Sequence, residues 1–513
     1  MLPRENQITA KRTPGEDKSK DMYDPTAMMD LDDMVSGFIN VFFPAEQLPF
    51  AFIPKNRSLN NLDRVRSYLS FAAQTTYEEM MASNFMLQLH ESLSSLVGFG
   101  TSCLYSEWDN KTLGLNYKDW DVSHFTFKQN SKGLPDTAIL KFPLTARQAV
   151  DEFDDNAGEE VLKAVQKLET ESQLFDFIHI VRPRIKRNVM LVDNLNMPFE
   201  SIFVNVKEVL VVEEGGFEEN PHHIARWKKS SSEKYGRGQG TVALSAVKEL
   251  QQMHANFIDL GNRFGNPPLE ILDSFEGTVK VMPNAQNFVR ERGTIKAIEQ
   301  NVLGNFPITT EVLKFQQDII HRAFFVEVFA PLANLPGDRR TTVEIIQRVK
   351  QAMKKLAGPV YRLQTEKFSP VIIRSFLLLV RNGRIPYPPP ELQGENFGIE
   401  YIGELALALR DQQARAFQQW GNVAMVLDPI FPEAKDNIRI DSAYRRIGRS
   451  YGINEEDMAS EEEVTAKRQA RAQQLAEQQA LQLAGAASEG YSKISKAPEK
   501  GSPSEKVMTG IGV

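Results

Sequence analysis

Three glycines at alternate positions, Gly236, Gly238 and Gly240, stand in YGRGQGTVALSAVKEL, Tyr235 to Leu250, just ahead of an amphipathic run. Glycines before a helix can cradle a phosphate, because they let backbone N–H groups approach an anion at a helix N-terminus. The spacing here argues against it. A Walker loop places a lysine directly before its Ser or Thr, so that the ammonium reaches the terminal phosphates. Here Gly240 precedes Thr241. A dinucleotide loop has GxGxxG after a buried strand, whereas this GxGxG follows the polar WKKSSSEK. The remaining reading is geometric. The glycines supply tight turns, and Thr241 or a neighbour caps the following helix.

The other reactive residue types form no constellation. The seven histidines are scattered, and His222 and His223 are adjacent, so they point different ways in a strand or a helix. Neither HExxH nor GxSxG occurs. The acidic run DEFDD, Asp151 to Asp155, lacks the glycine-turned calcium loop and reads as a solvated helix end. The single cysteine, Cys103, allows no internal disulfide and no cysteine cluster; in the apolar GFGTSCLY it reads as a buried small hydrophobe. The sequence therefore predicts no catalytic residue, no metal and no cofactor.

A chain of 513 residues is too long for one core and predicts two or three structural units. With 42% hydrophobic and 25% charged residues it has a globular composition. The apolar run in RSFLLLVRNGR falls far short of the roughly 20 residues that span a bilayer. The opening MLPRENQITAKRTPGEDKSKD has no apolar signal region, so a cytoplasmic protein is predicted. A net charge of −7 argues against a tight sequence-specific DNA binder. It is compatible with a surface past which DNA slides, since an acidic lining holds phosphates weakly.

The element pattern is α+β and mostly helical. Val65, Leu69, Ala72, Ala73, Met80, Met81, Phe85, Leu89 and Leu96 keep helical spacing, as one long helix or a pair ended by Gly98 and Gly100. From residue 100 to about 225, SCLYSEW, HFTFKQN, LFDFIHIVRPRI and SIFVNVKEVLVVEEGGF read as strands, interrupted by short helices at TARQAVDEF and EEVLKAVQKLE. After the glycines, Val242, Ala246, Leu250, Met253, Phe257 and Leu260 form a helical stripe up to about Phe264. GNPPLEIL breaks it, a loop-and-strand insertion follows, and ITTEVLKFQQDIIHRAFFVEVF is the next helix. After APLANLPGDRR, Thr341 and Glu344 suggest a capping box for a long helix reaching about Arg381, kinked at Pro359 and Pro370. RIPYPPPEL is a stiff break, residues 400–458 are again helical, and 459–486 favour helix but offer little apolar surface. Such a helix needs copies of itself or stays solvated.

ARWKKSSSEKYGRGQGTVAL resembles a segment of the portal proteins (head-to-tail connectors) of short-tailed bacteriophages, in which Arg-Trp is followed by Glu-x-Tyr-Gly-Arg-Gly and a long helix. The matching residues are Arg226, Trp227, Glu233, Tyr235, Gly236, Arg237 and Gly238. Ser232 and Gln239 stand where that family often has Gly and Pro. Downstream, TTVEIIQR places Thr341, Glu344, Ile345 and Arg348 on the family's long-helix pattern.

The resemblance implies a portal fold with these parts: an N-terminal arm at 1–25, a wing at 26–235, a stem helix at 236–264, a clip at 265–307 and a second stem helix at 308–330. A tunnel loop at 331–341, a long kinked wing helix at 342–382, a crown at 383–458, a barrel helix at 459–486 and a flexible tail at 487–513 complete it. It also implies a ring of twelve subunits at one capsid vertex of the virion, assembled in the host bacterial cytoplasm, without membrane contact. Double-stranded DNA would pass through it without sequence specificity during packaging and ejection. Implied partners are the major capsid and scaffolding proteins, the packaging ATPase (terminase), a tail adaptor and internal core proteins. Candidate channel residues are Arg339 and Arg340 in the loop, and Lys280, Arg290, Arg292 and Lys296 in the insertion. Two other functions stay open on the sequence: a scaffold or adaptor of another large assembly, and a nucleotide-binding enzyme using the Gly236–Gly240 loop.

Overall fold

In a computed structural model, residues 22–44, 48–56, 59, 62–191, 193–273, 275–282, 286–297, 306–327, 356–394, 397–402, 441, 459 and 461–494 are described. The chain divides into two units, one of residues 1–60 and 68–413, the other of residues 61–67 and 414–513. The fold class is α+β.

A cluster of aromatic side chains lies where helices of the first unit meet. α1 (Thr26–Phe42) buries Leu31, Met34, Val35, Phe38 and Phe42 along one face. The predicted helical stretch over 63–99 is a pair, α2 (Asp63–Ala82) and α3 (Phe85–Phe99). Gly98 lies inside α3, and Gly100, at φ 96°, ends it, since a left-handed C-cap favours a residue without Cβ. Phe43 packs edge-on against Phe85 and Phe368, and Phe42 against Phe368. A two-stranded ribbon, β1 (Phe50–Pro54) with β12 (Phe397–Tyr401), adds Phe52 and Phe397 against Phe376.

The strand-rich region forms two antiparallel sheets. β2 (Thr101–Asp109) lies between β3 (Gly114–Trp120) and β9 (His222–Arg226). The second sheet has the order β4 (Phe125–Gln129), β5 (Pro135–Thr145), β6 (Leu174–Pro183), β7 (Phe199–Asn205), β8 (Leu210–Phe217). Strict alternation in β6 turns Phe175, Phe177, His179 and Val181 to one face. The helices α4 (Ala146–Phe153) and α5 (Glu159–Val165) share a core with Phe175, Phe177 and Val212. α4 starts at a capping box between Thr145 and Gln148. The first N–H groups of α5, from Glu159 and Glu160, donate to the Glu208 carboxylate at 3.0 and 2.9 Å.

After the glycines, α6 (Gln239–Gly265) runs antiparallel to α7 (Phe306–Ala323), with Gln239 Nε2 on the Ala323 carbonyl and Gln316 Nε2 on Glu249, both at 2.9 Å. The buried face of α6 is Ala243, Ala246, Val247 and Leu250, which includes Ala246 and Leu250 of the predicted stripe. Val242, which headed that stripe, is 59% exposed. The helix after Phe306 ends at Ala323, short of the expected 330, and Phe325 at φ 55° leaves helical geometry. Between α6 and α7 lies the pair β10 (Leu269–Ile271) and β11 (Ile295–Ala297). Thr294 is the buried residue among those described in 266–297.

The predicted long helix is described from Ala357 onward. α8 (Ala357–Leu363) and α9 (Ser369–Arg381) are joined by a π turn, Gln364–Phe368. Pro370 has no N–H for the Glu366 carbonyl, and the Ser369 N–H bonds five residues back to Gln364 instead. Pro359 sits harmlessly in the first turn of α8. Thr341, Glu344 and Arg348, and the loop with Arg339 and Arg340, lie outside the described residues, as does most of 403–458. In the second unit α10 (Glu461–Ile494) is 34 residues long, about 50 Å at 1.5 Å per residue, and its described side chains are almost all exposed.

Candidate functional site: a buried ion pair beneath the glycine turn

β9 carries five consecutive buried residues and ends at Arg226. The Arg226 guanidinium meets Glu366 of the π turn, with side-chain exposures of 2% and 4%. Nε donates to Glu366 Oε2 at 3.1 Å, Nη2 donates to Oε1, and the Arg226 backbone N–H donates to Oε2 at 3.1 Å. The remaining donors reach the Gly133 carbonyl at 2.8 Å and the Lys234 carbonyl at 3.5 Å. One cation thus ties together β9, the π turn, the turn after β4 and the glycine segment. The widened turn is what brings Glu366 to this point.

Trp227 follows, buried edge-on against Phe38 at 5.4 Å, its N–H on the Gly100 carbonyl at 2.9 Å. Residues 228–237 fold back as a turn closed by paired backbone bonds between Lys228 and Arg237. Within it Glu233 and Arg237 form an exposed ion pair, and the Arg237 guanidinium holds the Glu233 carboxyl below its ordinary range. Tyr235 lies edge-on to Phe127 and its hydroxyl reaches Thr126 Oγ1 at 3.0 Å.

The glycines do not supply left-handed turns, because neither Gly236 nor Gly238 has a positive φ. They admit close backbone contact. A Cβ on Gly236 would lie 2.1 Å from the Gly100 carbonyl, and one on Gly238 would lie 2.4 Å from the Val97 carbonyl. The Gly236 N–H is taken by Thr101 Oγ1 at 2.9 Å and the Arg237 N–H by the Lys228 carbonyl. The turn therefore presents no phosphate cradle. The expected Thr241 cap is absent: Gly238 is the N-cap of α6, with no side-chain cap bond.

Two buried groups carry no signal in the linear sequence. Lys367 is fully buried, donating to Ser92 Oγ and, at 2.6 Å, to Ser102 Oγ; burial pulls its pKa down to about 8, against the Asp119 charge. His179, His222 and His223 are also buried. The latter two point apart as expected, His222 Nδ1 toward Cys103 Sγ at 3.9 Å and His223 Nε2 to Ser106 Oγ at 2.8 Å. His179 Nε2 meets Ser201 Oγ at 2.9 Å. Burial lowers all three, His179 to about 3, and the Arg374 cation adds to it at His222 and His223. Cys103 is buried and its thiol pushed up, so it is no nucleophile.

Because these histidines stay neutral when folded but take up protons near pH 6.5 when unfolded, stability is full above that value and falls as pH drops toward the depressed folded values. Each costs about 1.4 kcal/mol per pH unit below about 6. Thermal melting between pH 7.5 and pH 5 should show a steep loss, and His179→Gln, which retains a donor for Ser201, should flatten the slope. An unchanged slope would remove His179 from this group.

The basic candidates Lys280, Arg290, Arg292 and Lys296 are all exposed, and no ion pair engages them among the described residues. The structure does not gather them with the motif residues. It gathers Arg226, Trp227, Gly236 and Gly238, with Glu233, Tyr235 and Arg237 at the rim of the same turn. Glu366 carries no mark in sequence, because its partner lies 140 residues away, and Gly100 is legible there as a helix end but not as the neighbour of Gly236. Among the described residues no three His, Cys, Asp or Glu side chains are grouped to hold a metal, and no helix is long and apolar enough to cross a membrane.

An α+β body, with β9, the π turn and the glycine segment tied together by one buried ion pair, leads into an antiparallel helix pair. The family model described as bacteriophage head to tail connecting protein matches residues 1–458. The chain belongs to that family, the portal proteins. It is similar to the portal protein of Salmonella phage epsilon15, at 26% identity over 482 residues, 92% of this chain and 86% of the relative. It is also similar to the "Probable portal protein" of Bordetella phage BPP-1, at 22% identity, over 100% of this chain and 92% of the relative. Among solved structures it is similar to a chain in the virion of a native gene transfer agent particle, at 10% identity and a TM-score of 0.36, over 79% of this chain and 88% of that one.

Proposed function

We propose that this portal protein assembles as a ring, of twelve subunits on the family resemblance, at one vertex of a phage capsid. It serves there as a structural channel through which double-stranded DNA enters and leaves. The observation that carries the reading is the helix pair: Val242 and Ile258 on α6 and Phe315 on α7 are exposed by 59%, 46% and 60%. An apolar outer face on packed helices is covered when copies stand side by side. The regions then take these roles: residues 26–235 with the long helix as wing, α6 and α7 as stem, the insertion as clip, and α10 as a stave of a multi-chain barrel. Val281, Met282 and Phe288 leave the insertion largely exposed apolar surface, which suits burial in an assembly. Packaging ATPase, tail adaptor, capsid, scaffolding and core proteins are the partners this role requires.

Negative-stain electron microscopy with mass measurement tests the ring. Rings with a central hole wide enough for duplex DNA are expected, and a solid small oligomer would overturn the reading. For DNA contact, R339A/R340A should reduce DNA packaged per head by several-fold while rings still form. The quadruple alanine variant at Lys280, Arg290, Arg292 and Lys296 should have a smaller effect. Unchanged packaging in the first variant removes the loop arginines from the channel.

A further inference from the structure

The five-stranded sheet has two exposed patches at opposite ends of β7. At one end, the β6–β7 loop presents Ile185 and Met190, 96% and 90% exposed, beside Val189 at 75%. Lys186 and Arg187 are exposed between them, and no anion pairs with either among the described residues. At the other end, β8 is the last strand, with no strand on its outer side among the described residues. Val209 in the turn before it and Val211 near its start are exposed by 84% and 54%. Beside them Glu213 has its pKa raised by burial and, next, by the like charge of Glu152 on α4. No cation pairs with either carboxylate among the described residues.

The seven residues of β7 hold the two patches about 20 Å apart, at roughly 3.3 Å per residue, so one copy cannot join them to each other. Each is apolar with an unneutralised charge of one sign, and the signs are opposite. A surface that matches a different surface of the same chain gives a head-to-tail contact, the kind that closes into rings. We propose that the β6–β7 loop of one copy docks on the outer edge of β8 in the next copy. Lys186 and Arg187 then face Glu152 and Glu213, while Ile185 and Met190 cover Val209 and Val211. This rests on the ring reading above and names a contact surface for it far from the helix pair in sequence.

Charge exchange in the full-length chain tests it, with assembly followed by sedimentation velocity and mass measurement. The variants K186E/R187E and E152K/E213K should each need at least tenfold more protein to assemble, and the chain carrying all four changes should assemble as the wild type does. The four positions are on the surface, and circular dichroism melts of the unassembled variants should match the wild type. If the wild type forms rings and the paired reversals do not weaken them, the contact is overturned and the ring reading stands. Rings weakened by each reversal but not restored by the fourfold exchange also overturn it. So do normal rings that fail to enter heads, an outcome that assigns the loop to another partner. A wild type that never forms rings removes both the reading and the contact.

Discussion

Arg226→Ala should destabilise the first unit by about 3–5 kcal/mol, the cost of leaving a carboxylate buried without its cation. Glu366 is 4% exposed and accepts three N–H groups from Arg226 alone, so nothing nearby replaces them. Glu366→Gln should lose a similar amount, because the buried guanidinium then lacks its counter-charge. The double variant R226M/E366M should recover part of the loss, since it removes both charges and their desolvation. It will not recover all of it, because the Gly133 and Lys234 carbonyls lose their donor. A double-mutant cycle by urea denaturation measures this, and a coupling energy below about 1 kcal/mol would deny the pair its place as the pin of the fold.

The next largest effect is expected at the glycines. Gly236→Ala sets a methyl group 2.1 Å from the Gly100 carbonyl, and Gly238→Ala sets one 2.4 Å from the Val97 carbonyl. In both cases the obstacle is backbone, which cannot turn aside as a side chain does. Either change must part the turn from the C-terminus of α3, at about 3 kcal/mol or more, the upper end of overpacking costs. Since the turn leads directly into α6, the helix would lose its fixed direction, and assembly should fail with folding. Gly261→Ala on the same helix is the control. It meets no atom within 4 Å and should stabilise by about 0.5–1 kcal/mol through helix propensity. Equal melting temperatures for Gly236→Ala and the wild type would sink the close-packing account.

The sequence was most readable where a local rule governs. Alternation in LFDFIHIVRPRI exposed β6, because a half-buried strand must alternate. The helical spacing from Val65 to Leu96 left one long helix or a pair open, and the separation at Ser83–Asn84, which has no strong breaker, was settled by the structure. The stripe on α6 held at Ala246 and Leu250 and failed at Val242, which is exposed. The rule favours large apolar residues for the core, whereas the small Ala243 is buried there instead. The Arg-Trp and Tyr-Gly-Arg-Gly motif was legible as a pattern, but its purpose was not.

What the sequence determined by itself was the α+β class, the position of the glycine turn and the family. Composition, periodicity and short motifs are all properties of neighbours along the chain. What only the tertiary structure decided was why those motif residues are needed. Arg226 has no role until a proline-widened helical turn brings Glu366 to it from 140 positions away, and Gly236 has none until the end of α3 lies against it. Burial makes both contacts decisive, since a charge without its partner and a methyl group without room are costly only where water and slack are absent.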